Sequence, residues 1–146
     1  MAITQAIANA FKKQLLEGDQ NFKSSGGDKF KLALYTSSAT LNSTTTAYAN
    51  TNEVANTGTY TAGGDQLAGQ NTSIASGVAI VDFADLSFTG VTLTARGALI
   101  YNTSSAVTNA AVAVLNFGAD KTATSGTFTI QFPAFTTAAA ILRISG

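Results

Sequence analysis

From Lys29 onward, apolar residues recur at every second position, in short runs separated by Gly, Ser and Asn. Such a pattern suits half-buried strands, because only an extended chain sends alternate side chains to one face. In Lys29-Phe30-Lys31-Leu32-Ala33-Leu34-Tyr35-Thr36, the residues Phe30, Leu32 and Leu34 share a face. Across residues 91–101, Val91, Leu93, Ala95, Gly97, Leu99 and Tyr101 share one face; Thr92, Thr94, Arg96, Ala98 and Ile100 share the other. Further strands are expected at residues 66–74, 78–83, 86–88, 110–117, 127–132 and 140–144. The turns between them are expected at Ser76-Gly77, Thr89-Gly90, Gly118-Ala119-Asp120 and Ser125-Gly126. Residues 40–64 read as one long loop with a helical turn near residues 50–54. Short strands without crossover helices predict a mainly β chain, a single antiparallel β-sandwich of jelly-roll or immunoglobulin-like type. Parallel βαβ units are excluded for want of those helices.

The first segment has a different period. Ile3, Ala6, Ile7, Ala10 and Phe11 form one stripe at 100° per residue, with Leu15 on its edge and Leu16 pointing away. This predicts an amphipathic α-helix over residues 1–18, ended by Gly18, then a linker over 19–28 and a β domain over 29–146. Burying Ile3, Ile7, Phe11 and Leu15 is worth roughly 6–12 kcal/mol in total, at about 1.5–3 kcal/mol each. Ordering the backbone of the segment costs roughly 1–2 kcal/mol per residue, so the helix must dock on something. Two surfaces could receive it: its own β domain or a partner subunit. Leu16, off the stripe, favours a second contact.

Composition removes most chemistry. The 146 residues contain no Cys and no His, which excludes a thiolate–zinc site, a thiol nucleophile and a Ser–His–Asp triad. Eight basic and eight acidic residues cancel, so no nucleic-acid footprint is expected. No apolar stretch is long enough to cross a membrane as a helix, and no signal peptide is expected. Charged residues make up 11%, well below the usual share of about 25%. Thr, Ser and Asn take their place, giving a neutral surface that packs against neighbours at little desolvation cost. Asp82 and Asp85 are the closest acidic pair of the β region, and turn capping explains them better than catalysis or calcium binding. Gly118-Ala119-Asp120-Lys121 lacks phosphate-loop spacing and reads as a solvated turn. Arg96 is expected either to pair with an acid of the same chain or to reach a partner's carboxylate. With no nucleophile–base pair, no metal set and no cofactor motif, a non-enzymatic chain is expected.

Several segments resemble, in order, a family of small tailed-bacteriophage virion proteins. They begin with Ile3-Thr4-Gln5-Ala6-Ile7-Ala8-Asn9-Ala10-Phe11-Lys12-Lys13-Gln14-Leu15-Leu16-Glu17-Gly18, and continue with Lys31-Leu32-Ala33-Leu34-Tyr35-Thr36 and the stretch from Asn52 to Gly64. Val81-Asp82-Phe83-Ala84-Asp85, Thr94 to Asn102, Val114 to Lys121 and Phe128 to Pro133 complete the set. The resemblance implies a non-enzymatic structural protein of the virion.

Combined with the physical reading, this leads to an expected capsid-decoration protein. It would bind the assembled shell of a phage major capsid protein, or other virion subunits, as a small homo-oligomer, a trimer. Ile3, Ile7, Phe11, Leu15, Leu16 and Arg96 are the expected partner contacts. The alternatives are a collar, connector or tail component, and a carbohydrate-binding host-attachment module that would use Tyr48 and Tyr60.

Overall fold

A computed structural model describes residues 2–146 and bears out the mainly β expectation. Two antiparallel sheets form a sandwich-like body. The strands are β1 (Ala6–Ile7), β2 (Phe30–Tyr35), β3 (Asp65–Gln66), β4 (Asn71–Ala75), β5 (Val78–Asp82), β6 (Leu86–Asn102), β7 (Ala110–Ile130) and β8 (Leu142–Ile144), with one helix, α1 (Asn9–Glu17). The larger sheet has the order β1-β7-β6-β2-β3 and the smaller the order β4-β5-β8.

The expected turns at 89–90, 118–120 and 125–126 do not end strands. Two long strands, β6 and β7, run through them as one hairpin, and the register slips at each. Phe88 faces Phe128 but Val91 faces Gly126; Ala95 faces Lys121 but Gly97 faces Asn116. Gly90, Gly118 and Ser125 carry positive φ there, which inserts extra residues as bulges while the ladder resumes beyond them. Gly and Ser therefore mark bends in this hairpin rather than its ends. The outer face carries cross-strand polar pairs, with Ser87 and Thr129 hydroxyls 2.8 Å apart and those of Thr94 and Thr122 2.9 Å apart. The other face contributes Phe88, Val91, Leu93 and Phe128 to the core.

The helix is shorter than expected. Residues 3–8 are extended: Ile3 bridges Leu41, and β1 pairs with Ala113 and Val114 of β7. Thr4 N–H donates to the Leu41 carbonyl at 2.8 Å and Ala8 N–H to that of Val112 at 2.9 Å. The four-residue step from Ile3 to Ile7 returns to the same face in a strand as well as in a helix, so spacing alone could not separate them. The open edge of β7 decides it by offering backbone partners. Helix α1 starts only at Asn9, and Gly18 caps its end as expected, with Asp19 N–H donating to the Gln14 carbonyl at 2.9 Å.

Nor is the segment over 19–28 a free linker. Phe22 is buried, stacked on Phe30 at 4.4 Å and edge-on to Phe11 at 5.9 Å and Phe83 at 6.3 Å. The buried Asn102 amide donates to Gln20 Oε1 at 2.9 Å and to Asp28 Oδ2 at 2.7 Å. One apolar core runs from Ile3 through Phe11 and Phe22 into both sheets.

Candidate docking surface

The long loop is the first place to look, because loops of this length often carry function. Tyr48, Glu53, Val54 and Tyr60 turn inward from it. Glu53 Oε1 accepts from the Tyr60 hydroxyl at 2.7 Å and from Gly63 N–H at 2.6 Å; Oε2 accepts from the Tyr48 hydroxyl at 2.6 Å. The Leu34 N–H of β2 donates to the Tyr60 oxygen at 2.8 Å, and the Tyr35 hydroxyl donates to the Ala49 carbonyl at 2.7 Å. Tyr48 stacks on Tyr101 with centroids 4.7 Å apart, and the Tyr101 hydroxyl donates to the Gly63 carbonyl. All four tyrosines of the chain thus gather around one carboxylate. Burial first, and Glu53 second, pushes Tyr101 up to about 12. Burial also raises Tyr35, Tyr48 and Tyr60 well above the usual phenol value, and Glu53 adds to each shift. Tyr60 is fully buried and presents no open ring to a sugar, and half-buried Tyr48 has one ring face stacked on Tyr101. The cluster fastens the loop to β2 and β6.

The other sequence-derived candidates fall into three groups. Ile3 and Phe11 are buried in the chain's own core, and Ile7 and Leu15 pack against it half-buried. Ile3 and Phe11 are therefore spent largely on the chain's own packing, while Ile7 and Leu15 keep part of their surface open. Arg96 pairs within the chain: its Nε lies 2.8 Å from Asp120 Oδ1, across the largest bulge of β7. Gly118-Ala119-Asp120-Lys121 forms that bulge rather than a separate turn. Only Leu16, 90% exposed, keeps the position expected of a contact residue. Asp85 Oδ1 accepts from Phe132 N–H at 2.8 Å, a local bracing role, and Asp82 Oδ1 is buried without a partner among the described residues. No group of three or more acidic side chains placed to hold a metal occurs among the described residues.

Exposed apolar surface gathers on the flank formed by α1 and the smaller sheet. A groove of about 280 Å³ runs between them, lined by Ile7, Phe11, Leu15, Val81, Leu142 and Ile144 among others. Ile144 is 58% exposed. Ile74, 73% exposed, lies two strands away in the same cross-strand row as Ala79 and Ile144. Reading single residues could not find this row, because strands β4, β5 and β8 come together only in the fold. Compared with protein-family models, curated protein sequences and solved structures, the chain matches none.

Proposed function

We propose that the chain is a structural protein of a tailed-bacteriophage virion, and most concretely a decoration protein that binds the assembled shell. Family resemblance supplies the setting. The observation that carries the docking role is the exposed apolar surface of α1 and the smaller sheet: Leu16 projects into solvent from the helix, and Ile7, Leu15 and Ile144 line a groove between helix and sheet. A neutral body with a few exposed apolar side chains gains little from one contact and much from a repeating lattice. Burying Leu16 and Ile144 supplies about 3–6 kcal/mol between them before ordering costs. A molecule that binds only the assembled shell stabilises it by mass action. Because burial drives the contact, retention should change little with ionic strength.

Mixing the purified chain with undecorated shells tests this reading. The wild type should co-sediment with them and raise their disassembly temperature. Leu16→Lys and Ile144→Lys should each lower retention about tenfold or more, since each removes roughly 1.5–3 kcal/mol of burial. Unchanged retention in both variants, or particles carrying the chain only at the collar or tail, would sink the shell assignment.

A further inference from the structure

The edges of the two sheets are guarded unequally. In the larger sheet, β1 and β3 are two residues each. The outer half of β6 is capped by loop side chains: Thr89 N–H donates to the Thr59 hydroxyl at 2.8 Å and Thr92 N–H to that of Thr57 at 2.9 Å. The outer half of β7 is broken by bulges and met by Gln5, whose Oε1 accepts from Asn116 N–H at 3.2 Å. In the smaller sheet, β8 is three residues long and carries Arg143. Short length, charge, bulges and caps are the devices that keep sheet edges from pairing.

Strand β4, Asn71–Ala75, has fewer of these defences. It is five residues long, exposed throughout and free of charge and proline. Its outer side has no strand neighbour among the described residues. The β4–β5 hairpin closes with Ala75 opposite Val78 around Ser76 and Gly77, at φ 51° and 76°. A two-residue turn with both φ values positive makes the flanking pair hydrogen-bonded. The pairs 75/78, 73/80 and 71/82 then bond inward, and Thr72 and Ile74 turn their N–H and C=O groups outward. One of these groups is held locally, with Thr72 N–H on Asn71 Oδ1 at 2.9 Å, a bond that one side-chain rotation releases.

We infer that β4 is the pairing edge for a second copy of this chain, joined antiparallel about a twofold through Ser73. Thr72 of each copy then exchanges backbone hydrogen bonds with Ile74 of the other, and two three-stranded sheets become one of six strands. Neutrality favours this occupant, because a strand that pairs with itself sets every charge it carries against its own copy. Ile74 leaves solvent to lie beside Thr72 of the second copy, extending the row begun by Ile144 and Ala79. The twofold stands perpendicular to the sheet, so both copies present the same face to one side. The inference rests on the edge alone and holds whether or not the chain binds a shell.

The chain has no cysteine, which makes a single thiol a clean probe. Around the proposed axis the two Ser73 residues form a non-hydrogen-bonded pair, with Cα atoms about 4.5 Å apart, close enough for a disulfide. Ser73→Cys should therefore oxidise to a covalent dimer, whereas Thr124→Cys on the outer face of β7 should not. Five residues of edge are a small contact beside the roughly 1,200 Å² of a stable complex, so the wild-type dimer should be reversible in sedimentation across protein concentration. Ile74→Lys should weaken it about tenfold or more while leaving the circular dichroism of the fold unchanged. A wild type that stays monomeric, a trimer, a dimer indifferent to Ile74→Lys, or a Ser73→Cys chain that does not cross-link would each overturn the inference.

Discussion

Gly97 sits in the middle of β6, where glycine normally weakens a strand. A Cβ built there would collide with the Leu115 carbonyl and lie 2.9 Å from Ile3 Cγ2 and 3.0 Å from Ile3 Cδ1. The missing side chain is thus the seat of Ile3, and it lets the N-terminal segment lie flat on the sheet. Gly97→Ala should cost about 1–3 kcal/mol, the range for forcing extra volume into a packed site, read as a lowered urea midpoint with unchanged slope. The alternation of 91–101 placed Gly97 on the inward face, and this was legible. That its emptiness receives a residue 94 positions earlier was not, because nothing local encodes the contact.

Among elements, the strands with strict alternation were the ones the sequence disclosed best. Strand β2 lies at 30–35 within the expected 29–36, and β5 at 78–82 within the expected 78–83. The long hairpin was legible only in pieces, because a glycine that bends a strand and a glycine that ends one look alike before the partner strand is known. The start of α1 was misjudged for a related reason: a four-residue apolar spacing fits two conformations, and the edge of β7 selected between them. The linker reading failed on Phe22, an aromatic side chain in a stretch otherwise rich in turn residues. Phe22→Ala should therefore destabilise the fold by about 3–5 kcal/mol, as expected of a buried aromatic and not of a spacer; thermal unfolding measures it. The exposure of Leu16 was legible from its place off the helical stripe. The Ile74–Ala79–Ile144 row was not, since its members come from three strands.

The whole molecule should show a characteristic response to alkali. Folded phenols with raised values keep protons that the unfolded chain releases near pH 10. Their contribution is fully present below about pH 10 and is lost as the pH rises through the folded values. Stability should thus be level from neutrality to about pH 9 and fall beyond about pH 10, with phenolate absorbance delayed until the chain opens; paired titrations by absorbance and circular dichroism check this. The same grouping has a practical consequence for anyone handling the protein. With no tryptophan, its ultraviolet fluorescence arises chiefly from tyrosines packed around a single glutamate. Emission from this chain is a local gauge of one fastening, silent about α1 and the β4 edge, where a reporter dye would have to be installed.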